Sequence, residues 1–462
     1  MKSTTNLGLS LFVLFCSCLL YIYVGYFLPR TSFYTLLSCW IGLFGASYYL
    51  INYSSFSFKQ LAVIAIGFRL LLIAEIPNLS QDFYRFIWDG RMLLNGFNPY
   101  LYTPKNLIEQ GTATVHHAQK LVEGMGTLNA SHYTNYPPFS QLCYFIAALF
   151  GSKSIVTSVV VMRLQIILAD IGILYFGKKI LEQLRLPINN SFLYLLNPFV
   201  IIELTGNLHF EAVMAFFLVL SLYFLLKNLW VLAAVILGIS ISVKLLTLLF
   251  LPVFTLYFVR NLFHKKDWFV TNKNDILKYS SFCFIVIGTN ILLFAPFLSP
   301  QFIANFSKTI SLWFQNFEFN ASIYYIVRWV GYQVVGWNII AKAGKILPLI
   351  AILIIGILSL ARKNYNPNTL LESMLFCITA YLLLSTTIHP WYLSIPLTLS
   401  CFTKFKYIWV WSLTIILSYF AYSNPEFKEN LWLVSIEYSI VILFFIYELS
   451  KKNPTLVKLK QD

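Results

Sequence analysis

Charged residues are scarce in this sequence: only 11% of its 462 residues are Asp, Glu, Lys or Arg, whereas 58% are hydrophobic. A chain of this length cannot cover so many apolar side chains inside one water-facing globule. The apolar residues also come in long runs, many close to the roughly 20 residues that an α-helix needs to cross a bilayer. The composition therefore excludes a soluble globular class and predicts an all-α protein, a polytopic transmembrane helical bundle.

Two kinds of site signature are missing as well. The seven cysteines lie inside apolar runs, where a thiol behaves as a small buried hydrophobe, so their spacing indicates neither disulfides nor a zinc site. The chain also lacks the G-x-G-x-x-G turn of dinucleotide-binding domains. A soluble nucleotide-binding domain is therefore not expected.

The net charge of +15 follows a membrane pattern rather than a nucleic-acid pattern. Basic residues cluster just after hydrophobic segments, as in the pairs Lys178 and Lys179, Lys265 and Lys266, Arg362 and Lys363, Lys404 and Lys406, and Lys458 and Lys460. Such clusters are typical of the cytoplasmic ends of membrane helices. We therefore expect a multi-pass protein of the cell inner (cytoplasmic) membrane, in contact with membrane lipids and with no nucleic-acid partner.

Counting apolar runs with both termini cytoplasmic gives fourteen spans with an uncertainty of two, so a bundle of about 12–14 spans. The candidates include residues 58–76, 190–205 and 391–403. Residues 137–151 are not counted, because a full span there would place the following basic cluster outside. We predict that this segment is re-entrant or interfacial.

This topology makes residues 1–462 one integral membrane domain with two large loops on its outer face. The first loop, 77–136, is the predicted extracytoplasmic catalytic loop, and the second is 299–342. The second loop contains ASIYYIVRWVG, which is typical of an interfacial helix.

The first loop contains the densest charge of the chain, NLSQDFYRFIWDGRMLLNGFNPY at 78–100. On a helix, Asp82, Arg85 and Asp89 fall on one flank beside an apolar stripe, which predicts a helix lying along the outer membrane surface and ending at Gly96. Two interpretations stay open. The carboxylates either form ion pairs with Arg85 and Arg91 on a solvated face, or one of them does catalytic work.

Lys244 is the most unusual cation, because ISVKLLTLL places an ammonium inside a long apolar stretch. A charge within the membrane costs roughly 2.5 to 3.5 kcal/mol on insertion scales, so such a residue indicates a functional site. We predict contact with a phosphate, with Arg85 and Arg91 as further candidates. The alternative is that Lys244 caps a turn between two spans and reaches the interface.

Other polar residues lie at predicted outer helix ends. His209 and Glu211 are expected to bind sugar hydroxyls or to hydrogen-bond each other, and His389 precedes a helix-breaking proline. Glu318 and Asn320 are weaker candidates of the same kind. Trp88, Trp313 and Trp391 either stack on a hexose or belong to an interfacial aromatic belt. His116, His117 and His132 lack a carboxylate-backed ligand set, so we predict no metal site.

Six motifs in order carry a resemblance. They are DFYRFIWDGR with GFNPY, YPPFSQ at 136–141, LNPFVIIELTGNLHFEAV at 196–213, SVKLLTLLFLP at 242–252, FEFNASIYY at 317–325 and HPWYLSIP at 389–396. Together they resemble a bacterial family of the GT-C superfamily, membrane glycosyltransferases that use polyprenyl-phosphate sugars and include mannosyltransferases. The resemblance implies a GT-C-like bundle that moves a hexose, typically mannose, from a polyprenyl-phosphate sugar donor to a glycan or glycolipid acceptor outside the membrane.

The resemblance also implies roles for individual residues. An acidic residue of the first large loop serves as catalytic base in that superfamily, and Asp82 matches it by position, with Asp89 as a competing carboxylate. The family has a lysine at the place of Lys244, and the HPWY motif makes His389 and Tyr392 candidates for substrate binding. No cofactor is required, although a divalent cation between phosphate and Asp82 stays possible. The chain departs from the family in having two spans before its usual first helix.

A transporter or flippase for a glycolipid or amphiphile is the rival from another class. Such a protein places ionisable residues at mid-span, and here Arg69, Asp170 and Glu203 lie in or near spans. Most polar residues lie instead in the predicted outer loops, which favours the enzyme. A purely structural scaffold is disfavoured by the cost of burying Lys244.

Overall fold

The computed structural model describes residues 7–112, 115–260 and 268–452. Within these residues the chain forms helices and no β-strand, with one isolated parallel bridge between Phe319 and Thr387. The all-α, multi-pass prediction is thereby confirmed. The predicted basic residues Lys265, Lys266, Lys458 and Lys460 lie outside the described residues.

Twenty α-helices follow one another in the described residues: α1 Leu7–Tyr26, α2 Phe33–Asn52, α3 Phe58–Leu71, α4 Asp82–Leu94, α5 Pro104–Glu109, α6 Ala118–Ser131, α7 Pro138–Gly151, α8 Ile155–Leu184, α9 Phe192–Leu195, α10 Glu211–Leu226, α11 Trp230–Val243, α12 Thr255–Phe258, α13 Trp268–Phe294, α14 Pro300–Gln315, α15 Ile323–Val335, α16 Ile340–Ala361, α17 Pro367–Leu384, α18 Ser394–Cys401, α19 Tyr407–Thr414 and α20 Leu431–Lys452. Tighter 3₁₀ turns lie between some of them, at Ile188–Ser191, Leu245–Phe254, Ala295–Phe297, Pro390–Leu393 and Ile415–Ser423, and one wider π-helical segment at Val200–Gly206.

Seven helical segments of the described chain are long and apolar enough to cross a membrane, or eight if the bent pair Val200–Gly206 and Glu211–Leu226 forms one span. Four further apolar helices have 10–17 residues. The prediction of about 12–14 spans included short and broken ones, and in the described residues the seven or eight long segments and the four shorter ones together give eleven or twelve apolar segments. Two of the four shorter segments contain 3₁₀ stretches, which rise about 2.0 Å per residue instead of 1.5 Å and so reach farther than their residue number indicates.

Several predicted spans are interrupted by their own sequence. Residues 58–76 contain only the 14-residue helix α3, which begins with a capping box between Ser57 and Gln60. Residues 190–205 are split into short pieces at the Asn197–Pro198 step, and residues 391–403 into a 3₁₀ turn and the eight-residue α18. Such breaks put polar groups at the depth of the bundle interior, where side chains of neighbouring helices satisfy them.

The first loop folds into the body of the protein. Helix α4 packs against α7 and α6, and nine of its thirteen residues are buried. Gly90 permits this contact, because a Cβ at that position would lie 2.2 Å from the carbonyl oxygen of Tyr144 in α7. The prediction that this helix lies on the membrane surface was wrong, since Arg85 and Asp89 of its charged flank and most of its apolar stripe within the helix are buried in protein. The prediction that it ends near Gly96 was right: α4 stops at Leu94, and Gly96 has φ +78°.

The second loop forms two helices, α14 and α15, in the place of the predicted extracytoplasmic segment. Helix α15 exposes a stripe of apolar side chains, among them Ile326, Trp329 and Val334. This exposure is the pattern that the interfacial prediction requires.

Candidate functional site

The candidate site lies where four helix interruptions meet. These are the start of α4, the turn 207–210 before α10, the break at residue 244 after α11, and the segment 385–389 after α17. Each interruption presents a polar side chain that the sequence had singled out. Asp82, His209, Glu211, Lys244, His389 and Tyr392 come together there.

Asp82 is the first residue of α4 and is only loosely held. Among the described residues its Oδ1 accepts one long hydrogen bond, 3.4 Å, from the side-chain amide of Asn129, and no arginine forms an ion pair with it. Burial raises the pKa of Asp82 to about 6, opposed by the charge of Lys244 and by the Asn129 hydrogen bond, and assisted by Glu211. A carboxyl with a pKa near neutrality is poised to accept a proton at working pH.

Lys244 and Glu211 form an ion pair beside Asp82. The Glu211 carboxylate is nearly inaccessible, whereas the Lys244 side chain remains 23% exposed. The ammonium also lies 5.7 Å from the centroid of the Tyr136 ring. The second carboxylate oxygen of Glu211, Oε2, is buried without a hydrogen-bond partner in the described residues. The pair therefore offers a ligand two groups: the accessible ammonium of Lys244 and, in the described residues, a Glu211 oxygen that accepts no hydrogen bond.

The YPPFSQ motif holds Lys244 in place. Helix α11 ends at Val243, and Lys244 has extended backbone angles, φ −148° and ψ 140°. The Ser140 hydroxyl donates to the Val243 carbonyl at 2.7 Å, and the Phe139 amide donates to the hydroxyl of Ser242 at 3.2 Å. The first turn of α7 thus fixes the end of α11 and directs Lys244 away from the helix.

The turn that carries His209 is clamped by Arg163 of α8. This fully buried guanidinium donates to the carbonyls of Thr205 at 2.9 Å and of Gly206 at 2.7 Å, which a broken helix leaves without intrahelical partners. Leu208 then adopts a left-handed conformation, φ 62°. The chain bends by 108° between the π-helical segment and α10, and this bend brings His209 and Glu211 to the site.

A column of stacked rings bounds the site on one side. His209 stacks on Trp391 at 3.8 Å, Trp391 on His389 at 4.5 Å, and His389 on Phe319 at 5.2 Å between ring centroids. Both faces of Trp391 are therefore covered, so its ring is not free to stack on a sugar. Burial, with a smaller effect of Lys244, lowers the pKa of His389 to about 3, which keeps this imidazole neutral.

Tyr392 belongs to the same place. Its pKa is raised by burial first, and then by Tyr381, Glu211 and Asp82, which places the phenol within electrostatic reach of both site carboxylates. Glu318 and Asn320 lie elsewhere: Glu318 pairs with Arg328, and the Asn320 side chain donates to Glu437 at 3.2 Å. Both residues serve the packing of the second loop.

Asp89, Arg85 and Arg91 form a separate, interior cluster. The Arg85 Nε donates to Asp89 Oδ1 at 2.8 Å, and Gln141 Nε2 donates to Asp89 Oδ2 at 3.0 Å. Asp89 is fully buried. The Arg91 guanidinium donates to the carbonyl of His116 at 2.6 Å and to that of Gly151 at 3.0 Å. Of the two interpretations of the loop motif, internal pairing describes Asp89 and Arg85, and it does not describe Asp82.

Sequence reasoning missed several residues that shape the site. Asn129 holds Asp82, Tyr136 lies against Lys244, and Gln141 holds Asp89. Arg85 also donates to the carbonyls of Asn129 at 2.9 Å and His132 at 3.0 Å, which ties the end of α6 to α4. The YPPFSQ motif contains Tyr136 and Gln141, so the sequence did mark these two residues, although no role had been assigned to the motif.

A protein-only metal site is not formed by the part of the chain that the structure describes, where no three His, Cys, Asp or Glu side chains group closely enough. Any ion here would need oxygen ligands from a substrate in addition to Asp82 and Glu211. Glu211 Oε2, buried and without a partner, is chemically suited to such a role.

Comparison with protein families gives one match. Residues 13–260 match the MptA_B family, described as alpha-(1->6)-mannopyranosyltransferase, N-terminal domain. The matched region contains Asp82, His209, Glu211 and Lys244, whereas the HPWY segment lies beyond it. No curated protein matched the sequence.

Proposed function

The chain belongs to the alpha-(1->6)-mannopyranosyltransferase family, and from this premise and the site geometry we propose that it transfers mannose from a polyprenyl-phosphate donor to a glycan or glycolipid acceptor. The proposed transfer takes place on the extracytoplasmic face and inverts the anomeric centre. The observation that carries the proposal is the pairing of a weakly held, high-pKa carboxylate, Asp82, with an accessible cation, Lys244. In mannosyl transfer, a carboxylate can accept the proton of the acceptor hydroxyl and a cation can stabilise the leaving phosphate.

Asp82 is the proposed catalytic base. The acceptor hydroxyl attacks the anomeric carbon as its proton moves to an Asp82 carboxylate oxygen, and the bond from that carbon to the phosphate oxygen breaks. Asp82 accepts only one long hydrogen bond in the described structure, so a carboxylate oxygen is available to the incoming hydroxyl. Direct attack turns a β-linked donor into an α-linked product.

Lys244 is the proposed electrophilic group. The leaving phosphate gains negative charge as the glycosidic bond breaks, and a fixed ammonium in a water-poor site stabilises that charge more strongly than bulk water does. Lys244 is paired with Glu211 in the described structure, so it shares its charge between that carboxylate and the phosphate. His209, Tyr392 and the ring nitrogens of His389 are proposed to contact sugar hydroxyls.

The ionisable residues on which a transporter would depend have fixed internal partners. Arg69 and Asp170 form a fully buried ion pair with a 2.6 Å Nε–Oδ2 distance. Glu203 accepts hydrogen bonds from Tyr419 and from Asn207. These contacts support a structural role for the mid-span charges and favour the enzyme over the flippase.

We propose that no metal cofactor is required, because Lys244 supplies positive charge at the phosphate. A divalent cation, if one takes part, would be held by Asp82, Glu211 and phosphate oxygens, and it would neutralise the donor phosphate. Activity measured with and without a chelator decides between these alternatives.

The test is transfer in proteoliposomes that contain the purified protein. We expect radiolabelled mannose to pass from polyprenyl-phosphate mannose, and not from a nucleotide-linked mannose, to a mannoside acceptor, giving an α-linked product. A cysteine label at Lys105→Cys, an exposed position of α5, should react from the extracytoplasmic side. Use of the nucleotide donor, or labelling only from the cytoplasmic side, would overturn the proposal.

A further inference from the structure

Arg30 is an arginine whose hydrogen-bonding capacity is almost unused. It lies in the turn between α1 and α2, and in the described structure its one hydrogen bond runs from Nη2 to Oε1 of Gln81 at 3.4 Å. No ion pair involves it among the described residues. The other arginines of the bundle interior are committed: Arg69 to Asp170, Arg85 to Asp89, and Arg91 and Arg163 to backbone carbonyls. A guanidinium has five N–H donors, so Arg30 retains most of them for a ligand.

The position of Arg30 connects it to the site. Gln81 directly precedes Asp82 and caps helix α4. The side-chain nitrogen of Gln81 donates to the Met125 carbonyl at 3.0 Å, which turns its oxygen toward Arg30. Arg30 also lies over the Tyr422 ring, with Cζ 4.9 Å from the centroid, and Tyr422 is within electrostatic reach of both Arg30 and Asp82. The guanidinium is therefore held by two contacts, one of them with the residue that directly precedes the proposed base.

The charges of the site explain why a second cation is needed. Asp82 and Glu211 are two carboxylates, and the charge of Lys244 is largely balanced by its ion pair with Glu211. A lipid phosphate adds another negative charge close to Asp82, and like charges at short range in a partly buried site repel strongly. A cation without a carboxylate partner removes this repulsion. Arg30 has that property, and Lys244 alone does not.

On the basis of the proposed function, we propose that Arg30 binds the phosphate of the lipid-linked donor together with Lys244. The hairpin of α1 and α2 then has a direct part in the site, because it supplies a planar, bidentate phosphate ligand. Stacking on Tyr422 keeps the guanidinium plane fixed, so little side-chain freedom is lost when the phosphate binds. The role of Arg30 is to bind the phosphate, and it takes no part in proton transfer.

The test measures binding of a polyprenyl phosphate and of the matching polyprenol, which lacks the phosphate. For the parent protein the phosphate should increase affinity. In Arg30→Met that advantage should shrink about tenfold or more, as expected when charge-assisted hydrogen bonds are lost, while polyprenol affinity stays the same. Arg30→Lys should retain part of the affinity gain from the phosphate, since lysine keeps the positive charge but lacks the planar, bidentate N–H donors of the guanidinium. Arg185→Met, which removes an exposed arginine at the end of α8, is the matched control and should behave like the parent.

The outcomes separate the inference from the proposed function. Equal weakening of both ligands, or a loss of thermal stability that accounts for the change, would mean that Arg30 only supports the fold, and the inference would fail. A phosphate advantage unchanged in Arg30→Met would overturn it as well. A raised KM for the acceptor alone would assign Arg30 to an anionic acceptor instead and contradict the proposal. If the parent binds polyprenyl phosphate without transferring mannose, the proposed function fails while the Arg30 result is still decided by binding.

Discussion

Helix α4 carries one aspartate at its start, Asp82, and one in its middle, Asp89, and their surroundings differ. Asp82 and Asp89 lie about two turns apart on one face of the same helix, each among aromatic residues. Asp89 is fully buried and saturated by Arg85 and Gln141, whereas Asp82 has one long contact to Asn129 and lies near the Lys244–Glu211 pair. A carboxylate that is fully paired stabilises a structure, and one that is poorly satisfied remains available for reaction. The comparison therefore assigns chemistry to the start of the helix and packing to its middle.

Replacing the reactive carboxylate should have the largest effect. We expect Asp82→Asn to lower kcat by about 10²- to 10⁴-fold, because the acceptor hydroxyl loses its proton acceptor. The measurement is single-turnover transfer from a radiolabelled lipid donor, with the folded fraction of each variant determined by its thermal unfolding. Transfer by Asp82→Asn at the parental rate would shift the role of base to Asp89 and reverse the comparison.

Replacing Lys244, the cation beside Asp82, should have the second largest effect. Lys244→Met is expected to lower kcat/KM by about 10²-fold, the range found when one group that stabilises developing charge is removed. The double variant Lys244→Met with Glu211→Gln separates two explanations. If Lys244 contacts the phosphate, the double variant stays slow; if Lys244 only neutralises Glu211, the double variant recovers activity.

Replacing the aspartate in the middle of α4 should change stability rather than chemistry. Asp89→Asn leaves the buried Arg85 without its carboxylate, which typically costs about 3–5 kcal/mol of unfolding free energy. We expect a clear drop in melting temperature and less than a tenfold loss of kcat per folded molecule. Adding Arg85→Met to this variant removes the unpaired charge and should restore part of the stability. A stable Asp89→Asn variant with no activity would contradict this division between the two aspartates.

The smallest effect is a pH dependence. Since Asp82 must be ionised to act and its pKa is about 6, kcat/KM should fall tenfold per pH unit below that value, and Asp89→Asn should keep this limb. The same pKa lies above the usual 3.8, so the folded protein binds the proton more tightly than the unfolded chain between these values. Unfolding free energy therefore falls as pH rises through that window, and Asp82→Asn should lack this dependence. An acid limb near pH 4 in the parent would contradict the assignment.

Much of the fold could be read from local sequence, and the errors have a common cause. Apolar runs correctly predicted a multi-pass helical protein, and Gly96 correctly marked the end of α4. The interfacial placement of α4 was wrong because an amphipathic pattern shows only that one face of a helix is apolar. It does not show whether lipid or another helix covers that face. Fewer long helices are found than apolar runs were counted, because breaks such as Asn197–Pro198 divide runs that composition alone treats as continuous.

The candidate site was predictable in part. Asp82, His209, Glu211, Lys244, His389 and Tyr392 were identified from unusual polarity or from motifs, and the structure brings them together. Asn129 and Arg30 were missed because their importance depends on contacts with distant segments. A single asparagine in a loop and a single arginine in a turn carry no signal in the sequence itself.

The sequence by itself determined that this protein is embedded in a membrane and that carboxylates and cations gather at a few helix ends, because burying apolar side chains and avoiding unpaired charge are properties of the residues. Only the tertiary structure decided which aspartate stays available, since the decisive partners, Asn129 for Asp82 and Gln141 for Asp89, lie 47 and 52 positions away along the chain. Two aspartates of one helix acquire different chemistry when folding gives one of them several partners and the other a single long hydrogen bond in the described structure.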